Sequence, residues 1–206
     1  MQTLRIVVIV LVVAVSAGGF WFAYQSGVLG PQTSRVLQGS NGPKIGGPFE
    51  LVNHWGETTT AEDFKGSYML VFFGYTYCPD VCPVTLSNVS TALDMLGDDA
   101  AKVTPLFVTV DPERDTVDQL SEYVKYFHPA IIGLTGSEQQ IADVTKAYGV
   151  YYAKADGGTG DPQDYLMDHT SITYLMTPEN TYAAHFSHSA TAEDMAAGIR
   201  RVLDGG

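Results

Sequence analysis

Two cysteines, Cys78 and Cys82, are the only thiols in a chain of 206 residues, and just three residues separate them in the stretch VFFGYTYCPDVCP (71–83). A proline, Pro79 or Pro83, follows each of them directly. Two thiols this close can form a small stabilising disulfide, exchange electrons with another dithiol, or hold a metal ion as thiolates. Chain entropy gives a disulfide across so short a loop only about 2 kcal/mol, and a domain of this size does not depend on that. Redox exchange and metal ligation are the stronger readings, and both use the thiolate.

A residue before proline is pushed out of the α region, which predicts that neither cysteine is helical. With Pro83 at the first helical position, Cys82 becomes the N-cap and Cys78 stays in the loop after a strand. Both sulfurs then lie beside a helix N-terminus, whose dipole favours the thiolate. As metal ligands, two cysteines do not close a zinc site, which takes four donors. Two thiolates with one imidazole suit copper, Cu(I) preferring the sulfur. The chain has five histidines. His54 is in an early turn, His128 precedes Pro129, and His185 and His188 lie on or just after the last strand. His169 stands in DYLMDHTSITYLM, where a Gly/Asp-rich loop gives way to a buried strand, with Asp168 beside it as a candidate to orient the ring. The local sequence does not choose among the five.

The elements that must position these groups are readable from pattern. SYMLVFFGY (67–75) and TPLFVTV (104–110) are near-continuous apolar runs, the mark of strands buried on both faces. PVTLSNVSTALDMLG (83–97) repeats Leu86, Val89, Leu93 and Leu96 at helical spacing and stops at Gly97. Residues 116–128 and 137–148 read as further helices, FELVNHWGETTT (49–60) as a hairpin, and SITYLMT and TYAAHFS (171–187) as a strand pair before a last helix from Thr191 to about Leu203. Alternating strands and helices of this kind make an α/β domain with a central mixed sheet flanked by helices.

The N-terminus is of another kind. Residues 6–24 carry no charge and end among Phe20, Trp21, Phe22 and Tyr24. That length spans a bilayer, and aromatics settle at its interface. The reading is a transmembrane anchor over 1–25, a Gly/Ser/Pro-rich linker over 26–45 and one domain over 46–206; a cleaved signal peptide with a cut after Ala17 is the rival. A net charge of −12 makes nucleic acid an improbable partner.

The motifs IGGPFELVN (45–53), FFGYTYCPDVCP, TPLFVTVDPERDT (104–116), GLTG (133–136), AYGVYY (147–152) and DYLMDHT (164–170) resemble the Sco/SenC family of membrane-anchored, thioredoxin-like copper proteins of cytochrome c oxidase assembly. The resemblance implies a thioredoxin-like fold and one copper ion, Cu(I) or Cu(II), on Cys78, Cys82 and His169. It also implies delivery to the dinuclear copper centre of oxidase subunit II, an upstream periplasmic copper donor, and a single-pass position in the bacterial inner membrane with the domain facing the periplasm. The alternative is a dedicated thiol–disulfide oxidoreductase in which Cys78 and Cys82 are a redox-active pair; a thiol peroxidase is weaker. Thioredoxin-type enzymes use a Cys-x-x-Cys pair faced by a proline, whereas this chain has no proline between Pro162 and Pro178 and places His169 there. Within the shared motifs, Asp80 reads as a turn former and Asp111 with Arg114 as a loop salt bridge. Phe72, Phe73, Tyr75 and Tyr77 read as strand packing that also shields the site, and the scattered methionines as core.

Overall fold

The computed structural model describes residues 44–156 and 165–205. The apolar run at 6–24 and most of the linker lie outside them; among the described residues, no helix is long and apolar enough to cross a membrane.

The two apolar runs form the centre of the sheet. β3 (Tyr68–Gly74) and β4 (Val103–Thr109) pair in parallel over their whole length, from Tyr68 opposite Val103 to Gly74 opposite Thr109. β3 is buried from Met69 onward, with α1 (Val81–Leu96) and α3 (Glu138–Tyr148) both contributing residues to the core and Tyr148 of α3 meeting Phe73 of β3 at 5.2 Å between ring centres. β1 (Glu50–Asn53), β2 (Thr58–Thr60), β5 (Ile132–Thr135), β8 (Ile172–Met176) and β9 (Tyr182–Ser187) complete a seven-stranded mixed sheet in the order β2-β1-β5-β4-β3-β8-β9. The predicted central mixed sheet with flanking helices is therefore present. A second sheet has two strands only, β6 (Tyr152–Asp156) and β7 (Tyr165–His169).

The helix boundaries follow their caps. Thr116 starts α2 (Val117–Val124) by accepting from the Gln119 amide, and Ser137 and Thr191 start α3 and α4 (Ala192–Leu203) with reciprocal capping boxes. Gly97 ends α1 with a positive φ (60°), a backbone setting open to glycine. The helix expected over 116–128 stops at Val124. Beyond it the Tyr126 and Phe127 amides bond three residues back, tightening the chain toward the His128–Pro129 step.

One expectation fails at the site itself. α1 begins at Val81, so Cys82 is helical and the N-cap is Asp80. The first-turn amides of a helix have no intrahelical acceptor, so Pro83 forfeits no hydrogen bond there. The ladder starts one residue later, with the Val84 amide on the Asp80 carbonyl (3.3 Å). Cys78 does lie in the loop after β3.

Candidate metal centre

Strand β3 ends at Gly74, and the chain turns through Tyr75–Cys78 before entering α1. Cys82 is fully buried in the first turn of α1, whereas Cys78 is half-buried in the loop, and both are free thiols. The Cys82 amide donates to Cys78 Sγ (3.4 Å), the expected gift of a helix N-terminus to a thiolate. The pair is electrically asymmetric. A hydrogen bond from the Cys82 thiol, more than any other contact, pulls Cys78 down to about 3; His169 and the Asp80 and Cys82 amides add to it against burial. The same bond, with burial and the Cys78 charge, pushes the Cys82 thiol well above its ordinary value. The arrangement thus favours the charge on Cys78 and the proton on Cys82.

The only one of the five histidines brought to the cysteines is His169, at the end of β7. Its Nε2 lies 3.6 Å from Cys82 Sγ. Its Nδ1 lies 3.3 Å from the Thr170 carbonyl, which can hold the ring proton there when Nε2 serves as a metal donor. Bonds of about 2.3 Å to sulfur and 2.0 Å to nitrogen, at trigonal to tetrahedral angles, would set the two donors of one metal about 3.5–3.7 Å apart. Cys82 and His169 already have that spacing. Among the described residues no three His, Cys, Asp or Glu side chains form a finished cage, so the donors must draw closer together to hold one ion. Asp168 does not orient the ring: it is exposed, and successive side chains of a strand point to opposite faces. His54, whose Nδ1 accepts from the Gly133 amide, and His185, against the Tyr182 hydroxyl, lie in other parts of the fold.

Aromatic side chains wall the imidazole. The Tyr75 ring meets it edge-on (5.9 Å, 88°) and Phe72 stands 6.3 Å away. Tyr77, by contrast, is exposed. Asp111 and Arg114 do form the expected salt bridge (2.5 Å). Two other residues serve the site in ways not read from the sequence, Asp115 standing there only as a possible start of the helix that Thr116 in fact caps. Asp115 is fully buried, with no cationic partner among the described residues; it accepts from the Thr76 amide (3.0 Å), the Thr76 hydroxyl (2.6 Å) and the Thr109 hydroxyl (2.6 Å), pinning the cysteine loop to the end of β4. Burial leads among the causes that raise its carboxyl. Gly74 is the other. A Cβ there would stand 2.8 Å from Cys82 Sγ and 2.9 Å from Phe107 Cε2, so the sulfur occupies space that any other residue would fill. A glycine between Phe73 and Tyr75 in a buried strand was the available signal.

A thiolate, a buried thiol and an imidazole converging at the ends of β3 and β7 define a soft-metal or dithiol site on an α/β scaffold. The model of the SCO1/SenC family matches residues 38–204. A SCO2-like protein of Rickettsia conorii is 43% identical over 157 residues, 76% of this chain and 76% of that one. The structure of Arabidopsis thaliana ScoI with copper bound matches with a TM-score of 0.73 at 39% identity, over 79% of this chain and 99% of that one. Copper-bound ScoI of Bradyrhizobium japonicum matches with a TM-score of 0.69 at 43% identity, over 76% and 98%. The chain belongs to the SCO1/SenC family.

Proposed function

We propose that this protein carries one copper ion on Cys78, Cys82 and His169 and delivers it to the dinuclear copper centre of cytochrome c oxidase subunit II. The 3.6 Å spacing of Cys82 Sγ and His169 Nε2 carries the reading, because it is the separation of two donors on one ion. Copper in the Arabidopsis and Bradyrhizobium relatives supports it. The softness of two sulfurs suits Cu(I), and the imidazole adds a donor that Cu(II) also takes. Loading requires Cys82 to lose its proton, so copper entry releases a proton from a thiol that is otherwise held neutral. In this reading residues 1–25 anchor the protein in the inner membrane, the domain works on the periplasmic side, and an upstream periplasmic donor supplies the metal.

A second reading has its own observation. A low-pKa, half-buried thiolate beside a buried thiol is the arrangement of an attacking and a resolving cysteine. Cys78 would attack a disulfide formed between the oxidase's copper-ligand cysteines, releasing one of them. Cys82, losing its proton, would then displace the other, leaving a Cys78–Cys82 disulfide here and two thiols there.

His169→Ala separates the readings, because imidazole is needed for the copper site and not for dithiol exchange. The variant is expected to bind copper far more weakly, to keep its cysteines oxidisable, and to fail in restoring oxidase activity, with partial rescue by added copper. Near-normal oxidase activity without added copper would transfer the assignment to the reductase.

A further inference from the structure

The sheet that carries His169 shares no strand pairing with the sheet that feeds the cysteine loop. At its His169 end the ribbon runs through Thr170 and Ser171 into β8, which pairs with β3; at its Tyr165 end it is held by side chains, and these converge on residues 111–115. Toward the cysteine loop, Asp115 holds Thr76. Toward β6 and β7, the Tyr165 hydroxyl donates to Asp111 Oδ1 (2.8 Å), Lys154 pairs with Glu113, and the Lys154 ammonium sits 4.3 Å from the centre of the Tyr165 ring.

Arg114 touches both sides. Its Nε donates to Asp111 Oδ2 (2.5 Å) and its Nη1 to the Tyr165 carbonyl (2.9 Å). Its guanidinium carbon lies 3.6 Å from the centre of the Tyr165 ring and 4.7 Å from that of Tyr77. Tyr77 immediately precedes Cys78, and Tyr165 opens the strand that His169 closes. One cation is thus stacked against a ring from the thiol side and a ring from the imidazole side. A nearly buried ion pair is a poor source of stability, since desolvating both charges offsets their attraction. What the pair does accomplish here is to aim the guanidinium.

We infer that Arg114 is a positioning residue, which fastens the Cys78 loop to the His169 strand and so sets the distance between the sulfurs and the imidazole. The inference rests on the copper-site reading above and names a determinant of that site. Lysine cannot replace it, because an ammonium has neither the planar face for two rings nor the fork for two acceptors.

The test uses the full-length chain with Arg114→Met and Arg114→Lys, each compared with wild type and His169→Ala. In the metal-free state, amide hydrogen exchange is followed in β7 and, as the control, in β3 and β4. In the loaded state, nitrogen hyperfine coupling to Cu(II) reports the imidazole, and competition assays give Cu(II) and Cu(I) affinities. Arg114→Met is expected to speed exchange in β7 alone and to lose nitrogen coupling, so that its spectrum resembles that of His169→Ala. Its Cu(II) affinity is expected to fall about 10–100-fold, the range for losing an outer partner of a metal ligand. Its Cu(I) affinity is expected to fall less, because both thiolates remain. Arg114→Lys, which keeps the charge beside Asp111, is expected to be intermediate and answers the question if the methionine variant does not fold. Unchanged β7 exchange with unchanged nitrogen coupling in a folded variant overturns the inference. Faster β7 exchange in the variant, with no nitrogen coupling in wild type, supports the positioning role and overturns the copper ligand set instead.

Discussion

Gly74→Ala tests the packing that seats Cys82. The added methyl would stand 2.8 Å from Cys82 Sγ, 2.9 Å from Phe107 Cε2 and 3.1 Å from Phe72 Cε1. Comfortable contact begins near 3.5 Å, so the sulfur or the strand must yield by about 0.7 Å. Neither is free to do so cheaply: Cys82, Phe72 and Phe107 are all essentially buried. Overpacking of this kind costs about 1–3 kcal/mol, which for a domain of this size lowers the melting temperature by roughly 2–12 °C. The more telling effect is local. A shift of that size in Cys82 spoils the 3.6 Å spacing to His169 Nε2, so copper affinity falls along with stability. Thermal unfolding of the metal-free protein gives the first quantity and copper competition gives the second. Wild-type melting together with wild-type copper affinity in Gly74→Ala would refute the steric argument.

Alkylation of Cys78 checks the asymmetry of the thiol pair. With its pKa held at about 3, the thiolate persists far below the ordinary thiol range, so the rate stays flat from neutral pH down to about pH 5 rather than falling tenfold per unit. Cys82→Ala removes the leading cause of that shift, and its profile is expected to bend at higher pH; a wild-type rate that climbs steeply across pH 5–8 would contradict the assignment. Asp168→Asn tests the opposite kind of claim. Its side chain is exposed and faces away from the ring, so copper affinity and the nitrogen signal of His169 are expected to match wild type, and a loss resembling that of His169→Ala would restore Asp168 to the site.

The buried strands were legible because continuous apolar runs have few other uses, and the predicted 67–75 became Tyr68–Gly74. Helix starts were legible where a side chain caps them, as at Thr116, Ser137 and Thr191. The start of α1 was not, because Asp80 makes no side-chain cap and the first turn of a helix tolerates a residue before proline that its interior would not. β6 and β7 escaped notice for a different reason: YAKAD and YLMDH mix charge with apolar residues and bury only one face of the pair. At the site, the thiols announced themselves by spacing, whereas His169 was singled out by family resemblance rather than by its own neighbours. Arg114 read as half of a local ion pair. Its partner Tyr165 is 51 residues away, and a stacking contact at that separation leaves no pattern in a single sequence.

The separateness of the two sheets has a kinetic meaning. Both sulfurs ride on the loop and helix that follow β3, while the nitrogen rides on a separate two-stranded ribbon that leads into β8 and is tied at its far end by side chains. If copper is carried as proposed above, it would not need to break all its bonds at once to leave. An incoming donor can replace the imidazole first, while the two sulfurs keep the metal from water, and then replace the sulfurs in turn. Each step trades one bond for another. Transfer under such a scheme is an associative exchange whose rate depends on the acceptor's reach, and the ion can be bound tightly at equilibrium yet passed on quickly.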